Sequence, residues 1–276
     1  MPEGDTIFRS AASLHRWLGG RRISAARSRG DAVGVGRLVG TTVERAEARG
    51  KHLLITFSDD AGAHLVLRTH MRMTGSWHVY AVGASWQRPE RQATVILEAD
   101  DRLAVCFNVP IVELTSEADA RRGRAVSGLG PDVLVDPLDL AEVRHRAARS
   151  SPSRPIGDLL LDQRVVAGIG NIYRCESLFL RGVHPWTPRD ALDEAALDAL
   201  VDVASTLMRA NTGPHSRTRG FGDGPDRPWV YGRVGRPCRR CGAMVEARRL
   251  GDQARTAYWC PQCQPAPEGW SRALAR

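Results

Sequence analysis

Near the start of the chain, apolar residues recur at helical spacing: Ile7, Ala11, Leu14 and Leu18 fall on one face before Gly19-Gly20 ends the run. Asp5 or Thr6 is the expected cap. Beyond Gly20 the pattern shortens to strand-like runs at 41–46, 52–57, 63–68, 77–82, 93–98 and 103–108. Gly, Asp and Pro break these runs at the spacing of a sandwich or barrel. Residues 1–125 therefore predict one β-rich domain led by a helix. From Pro131 the texture is helical. A helix over 138–149 follows Asp136-Pro137, and 156–161 is a short one. The segment 171–180 follows a Gly168-Ile169-Gly170 turn, and 190–208 is amphipathic through Leu197, Leu200, Ala204 and Leu207. The fold class is α+β. Residues 131–228 form the second region, closed by a Gly-, Pro- and Arg-rich stretch at 211–228. That stretch is long for a connection without structure of its own and predicts a functional or mobile loop. A cysteine module at 229–264 and a mobile tail at 265–276 complete the chain.

Charge narrows the class of partner. The formal net charge of +8 over 276 residues fits a polyanion, although a basic protein without such a partner would carry the same sum. Lys51 is the only lysine among 39 basic residues. Where arginine has replaced every other lysine, a surviving ammonium marks a place where a guanidinium will not serve; a chance survivor on the surface gives the same count. Glu3, Asp5, Arg9 and Arg16 interrupt the first 20 residues, which leaves no apolar core for a signal peptide. No run approaches 18 apolar residues. The expectation is a cytoplasmic monomer without membrane contact. In a reducing compartment the six cysteines argue for metal or free thiols rather than disulfides.

The cysteines carry the strongest motif. Cys238-x2-Cys241 and Cys260-x2-Cys263 are two knuckles separated by 18 residues, a spacing that sets four thiolates around one Zn2+. Two redox pairs are the alternative, and no thioredoxin-like βαβ pattern surrounds them. Four thiolates leave no open coordination position, so the metal is structural. Cys106 and Cys175 sit in apolar surroundings and read as buried thiols. Between the knuckles, Arg248, Arg249 and Arg255 with Tyr258 and Trp259 predict a cationic hairpin suited to a phosphate backbone; a solvated charged face would look the same. Gly168-Ile169-Gly170-Asn171 before a helix offers backbone N–H groups to an anion, or is an ordinary helix entry. Lys51 follows Gly50 at the start of a strand.

Removing Met1 would expose Pro2 as a secondary amine beside Glu3. An unprotonated amine can displace a base at an anomeric carbon, giving an iminium that acidifies the neighbouring carbon. The ordinary α-amino pKa is roughly 7.7–8.0, so free base is available near neutrality. The adjacent carboxylate can shuttle protons.

Together these residues resemble the formamidopyrimidine-DNA glycosylase / endonuclease VIII family. The resemblance runs through Met1–Thr6, Gly50-Lys51-His52-Leu53-Leu54 and His70-Met71-Arg72-Met73-Thr74-Gly75. It continues in the stretch from Gln163 to Tyr173, in Val230-Tyr231-Gly232-Arg233, and in the four-cysteine finger. It implies an N-terminal β-sandwich, a helix–two-turns–helix domain and a zinc finger, with DNA in a cleft between two lobes. It further implies that Pro2 is the Schiff-base nucleophile and Glu3 the general acid/base. Lys51, Asn171 and Arg255 would clamp the phosphates flanking the lesion, and Met73 would fill the stack vacated by a flipped base. Base excision and β,δ-elimination would follow, on DNA with oxidised bases or abasic sites.

Two departures select a branch. The opening Pro2-Glu3-Gly4-Asp5-Thr6 resembles endonuclease VIII rather than the Pro-Glu-Leu-Pro-Glu of the purine-specific branch. That branch also carries an Asp-Pro-Arg-Arg-Phe-Gly loop, where this chain has Asn108-Val109-Pro110-Ile111-Val112-Glu113. Oxidised pyrimidines are the expected substrates. The competing readings are the same chemistry on oxidised purines, and a catalytically silent protein that binds damaged DNA.

Overall fold

The computed structural model describes residues 2–31, 33–213 and 228–270. Met1, most of the 211–228 stretch and residues 271–276 lie outside them. The chain forms two compact units, Met1–Gly128 and Leu129–Arg276.

In the first unit, α1 (Gly4–Leu18) buries Ile7, Ala11, Leu14 and Leu18, the face expected from spacing. Its cap differs from expectation. Glu3 is the N-cap residue, its carbonyl accepting from the N–H groups of Thr6 (3.0 Å) and Ile7 (3.1 Å), so the helix begins before Asp5. Among the described residues eight strands follow: β1 (Ala25–Ser28), β2 (Thr42–Arg49), β3 (His52–Ser58), β4 (His64–His70), β5 (Ser76–Ala81), β6 (Ala93–Ala99), β7 (Arg102–Phe107) and β8 (Ile111–Ser116). They build two antiparallel four-stranded sheets in the orders β1-β6-β7-β5 and β2-β3-β4-β8. One core joins them: Leu53, Ile55, Phe57 and Leu67 meet Val95, Leu97, Ala104 and Cys106, with the apolar face of α1 packed in. The β1-β6-β7-β5 sheet also carries a smaller cluster of Ile96, Val105 and Phe107, covered by Trp86 and Tyr80. The strands β1 and β8 escaped the sequence pattern. β1 is short and reads Ala-Ala-Arg-Ser, and β8 follows the Val109-Pro110 break that reads as loop. Two short helices, α2 (Glu117–Arg122) and α3 (Arg124–Ser127), end the unit.

The second unit is helical around the core of Val133, Leu159, Val166, Ile169, Leu178, Leu200, Val201, Ala204 and Met208. Its helices are α4 (Leu140–Ala148), α5 (Ile156–Leu159), α6 (Asn171–Arg181) and α7 (Glu194–Arg209). Capping moves two starts past the expected positions. The Asp139 carboxylate accepts from Glu142 N–H (2.9 Å), and Asp193 accepts from Ala196 N–H (2.7 Å), so α4 and α7 begin after these aspartates rather than at 138 and 190. The cysteine module contributes one hairpin, β9 (Glu246–Leu250) and β10 (Arg255–Trp259).

Beneath that hairpin Trp186, Leu250, Ala257 and Trp259 pack together, with Trp270 against them. Gln264 is fully buried and bonds to Val183 carbonyl (2.7 Å) and Cys260 N–H (3.0 Å). Trp270 therefore packs on a core although it falls within the expected tail. His184 sits in the same cage, with ring centroids 4.7 Å from Trp270 and 5.4 Å from Trp259. Burial pushes its pKa from 6.5 down to about 4. The unfolded chain then binds the extra proton between those values, so stability is fully present above about pH 6.5 and drains away as pH falls towards 4. His184→Phe flattens this acid limb, as urea midpoints at successive pH values from 7 to 4 would register.

Candidate functional site

Each unit gathers a distinct set of the residues singled out by sequence. In the first unit Pro2 is half-buried at the mouth of α1, and Glu3 is 1% exposed beside it.

Lys51 occupies a turn rather than the strand start expected of it. Arg49 pairs with His52, so Gly50 and Lys51 form a two-residue hairpin loop, with Gly50 at φ 57° in the position such loops give to glycine. The neighbouring strand ends are basic. His52 and His70 pair across β3 and β4, their rings edge-on at 4.8 Å. Arg68 donates to His52 Nδ1 (2.8 Å) and is anchored by Glu113 of β8 (Nε to Oε2, 3.1 Å). Burial first, then Arg72, Lys51 and Arg68, push His70 down to about 4. Burial, His70, Arg68 and Arg72 push His52 down to about 3. Both rings are thus neutral at pH 7 within a field of cations. Sequence reasoning assigned this pair no role, although the two histidines lie within the quoted Lys51 and Met73 motifs.

Met73 lies in the β4–β5 turn and is 57% exposed, one of few large apolar side chains so displayed among the described residues. Arg72, just before it, adopts φ 50°. The turn touches the neighbouring 108–110 segment, where Thr74 Oγ1 reaches Asn108 carbonyl at 3.5 Å. Residues 111–113 belong to strand β8, paired to β4.

In the second unit α6 organises the rest. Gly168, at φ 100°, holds a backbone conformation that strains any side chain, and a Cβ there would stand a tight 3.0 Å from Val133 Cγ2. Extended Gly170 caps α6. Asn171, 5% exposed, donates Nδ2 to Thr256 carbonyl (2.9 Å), and its buried Oδ1 has no hydrogen-bond partner among the described residues. Asn171 is therefore tied to the hairpin strand that begins with half-buried Arg255. One turn on, fully buried Arg174 donates to Arg255 carbonyl (3.2 Å) and Gly157 carbonyl (3.4 Å). Fully buried Glu176 accepts from the backbone N–H groups of Trp229 (2.7 Å), Val230 (3.1 Å) and Tyr231 (2.9 Å). Burial raises the Glu176 pKa, and the three N–H donors oppose that shift. Cys175 Sγ accepts from Tyr258 N–H (3.5 Å). Cys106 and Cys175 are buried thiols, their pKa values raised by burial.

The four motif cysteines converge, with all Sγ atoms within 4.8 Å of one another. Cys238 and Cys263 stand 3.9 Å apart, and Cys241 and Cys260 3.4 Å. A tetrahedral tetrathiolate with metal–sulfur bonds of about 2.3 Å has sulfurs about 3.8 Å apart, so the set fits a metal ion of zinc's size. No helix among the described residues is long and apolar enough to cross a membrane.

Comparison with known proteins follows the two-unit division. The model of the formamidopyrimidine-DNA glycosylase N-terminal domain matches residues 1–110, and that of the formamidopyrimidine-DNA glycosylase H2TH domain matches residues 129–218. The chain is 40% identical to a probable endonuclease 8 2 of Streptomyces coelicolor, covering 100% of this chain and 99% of that one. It is 35% identical to the DNA-(apurinic or apyrimidinic site) lyase Nei2 of Mycolicibacterium smegmatis, over 96% of this chain and 100% of that one. Among solved structures, the Lactococcus lactis Fpg in complex with abasic-site DNA superimposes with a TM-score of 0.79. It is 24% identical, over 96% of this chain and 100% of that one, and so speaks to the fold alone.

Proposed function

Because the chain belongs to the formamidopyrimidine-DNA glycosylase / endonuclease VIII family of DNA glycosylases and DNA-(apurinic or apyrimidinic site) lyases, we propose that it excises oxidised pyrimidines from DNA through a Schiff base on Pro2. The observation that carries this reading is the seat of Pro2 at the N-terminus of α1, with the Glu3 carboxylate buried beside it.

With Met1 removed, the Pro2 nitrogen lone pair attacks C1′ of the damaged nucleotide. The glycosidic bond breaks, and the base departs with that electron pair and a proton. The nitrogen sheds its proton and its lone pair then expels O4′ from C1′, opening the sugar ring to an iminium as O4′ takes up a proton. The iminium acidifies C2′, which loses a proton as the 3′-phosphate is expelled, and a second elimination, with loss of a proton from C4′, expels the 5′-phosphate. Glu3 moves the protons. Lys51, on its rigid hairpin loop, and Asn171 and Arg255, on the α6–hairpin framework, hold backbone phosphates. Met73 enters the stack that the flipped base leaves. Cys238, Cys241, Cys260 and Cys263 would hold Zn2+, which would stabilise the finger that carries Arg255. The preference for pyrimidines is supported by the Gly4-Asp5-Thr6 opening and by Asn108-Val109-Pro110-Ile111-Val112-Glu113, where the purine-specific branch has an arginine- and phenylalanine-bearing loop.

The test is covalent trapping. Borohydride reduction with duplex DNA carrying thymine glycol or an abasic site is expected to link the strand to the Pro2 peptide in both cases. Trapping with the abasic site alone, together with faster release of 8-oxoguanine, would transfer the assignment to oxidised purines. No trapping by protein shown to lack Met1 would leave a silent binder of damaged DNA.

A further inference from the structure

Between the helical core and the cysteine knuckles lies a concavity of about 430 Å3 lined by Pro228, Tyr231, Gly232, Arg233, Arg236 and Arg239. Its walls carry three guanidinium groups and no carboxylate. Among the described residues neither Arg233 nor Arg236 forms an ion pair. Arg233 spends one nitrogen on Pro237 carbonyl (2.7 Å), while its Nε is buried without a partner. Arg240, the next arginine along, is used elsewhere, stacked over Phe179 at 4.4 Å.

The backbone that presents these arginines is fixed. Glu176 holds the N–H groups of 229–231. Arg233 N–H bonds to Val230 carbonyl (3.1 Å), Arg236 N–H to Arg233 carbonyl (3.0 Å), and Val245 N–H to Arg236 carbonyl (3.0 Å). Like charges gathered on a rigid frame around a cavity cost free energy that an anion would offset. Guanidinium forks match the oxygens of a phosphate in particular.

We infer that this concavity is a phosphate-binding subsite for a DNA strand, additional to the grip assigned to Asn171 and Arg255. The inference rests on the reading of the chain as a DNA glycosylase. Both grips depend on α6, whose first residue meets the hairpin and whose sixth, Glu176, holds the floor of the cavity, about 7.5 Å further along the helix axis.

The experiment compares the metal-loaded full chain with Arg236→Gln/Arg239→Gln, and with Arg236→Gln alone. Binding to a duplex with a reduced abasic site is measured from about 50 to about 200 mM salt, since each lost phosphate contact removes about 0.9 from the slope of log K against log salt. The expected result is a slope shallower by about one and roughly tenfold weaker binding near 100 mM salt in the double variant, with part of both in the exposed single variant. An unchanged slope with lost metal would overturn the proposal and make the arginines neutralisers of the thiolates. An unchanged slope with loss of thermal stabilisation by pyrophosphate would give the site to a free anion rather than a strand. Trapping of the unsubstituted protein at Pro2 is read in parallel: its absence would sink the glycosylase reading, whereas a flat salt comparison beside intact trapping would sink only the subsite.

Discussion

Glu3→Gln is expected to lower base excision by about two to four orders of magnitude, the range that a positioned acid–base group supplies. The substitution keeps the length of the side chain. The helix entry survives as well, because the Glu3 main-chain carbonyl, not its carboxylate, receives Thr6 and Ile7 N–H. A folding defect would show as a changed melting temperature, so loss of rate at unchanged melting isolates proton transfer. The companion variant places one extra residue ahead of Pro2. That converts the amine to an amide without a basic lone pair and is expected to abolish borohydride trapping altogether. Single-turnover kinetics on a thymine glycol duplex checks the first result, and peptide mapping of the crosslink checks the second. A Glu3→Gln protein that excises within a few fold of the unsubstituted rate would move the proton work to another group.

Metal removal carries the other large effect. The module around Cys238, Cys241, Cys260 and Cys263 packs on a small apolar cluster that it shares with Cys175 and Phe179 of α6, and structural zinc at such sites supplies about 10–16 kcal/mol of apparent binding free energy at pH 7. Chelation, or Cys260→Ser, is expected to unfold the hairpin that begins β10 at Arg255 and to uncover Trp259, which is 3% exposed. Loss of the phosphate hydrogen bonds proposed for Arg255 should weaken DNA binding by about 10- to 100-fold. Tryptophan fluorescence follows the unfolding, and metal analysis of the purified protein identifies the ion. A hairpin that stays folded without metal would deny the ion its structural role.

Much of this was legible before any coordinates. The four cysteines could be read from spacing alone, because the distance between two tight knuckles is itself the geometry of a tetrahedral site. The buried face of α1 was legible because period and burial coincide at Ile7, Ala11, Leu14 and Leu18. Other features left little trace. The capping role of Glu3 rests on its carbonyl, which every residue has. β1 and β8 lack the apolar alternation that marks a strand, and their partners hold them in place through backbone bonds. Arg174 and Glu176 in α6 look like an ordinary solvated stretch of helix, yet both are fully buried. What buries them arrives from more than 50 residues away, at 229–231 and 255, and local pattern carries no record of it.

Position 176 shows how narrow a structural alphabet can become. Its side chain must bring acceptors to three converging N–H groups at 2.7, 3.1 and 2.9 Å. Aspartate is one methylene too short to reach them from the same backbone. Glutamine turns one of the two oxygens into a donor that faces another donor. Alanine leaves three amides with nothing to bind. One letter in twenty fits, and for a reason unrelated to chemistry on DNA. A protein of this kind written with a different letter at 176 must therefore shape its 229–231 segment in another way, and with it the approach to the finger.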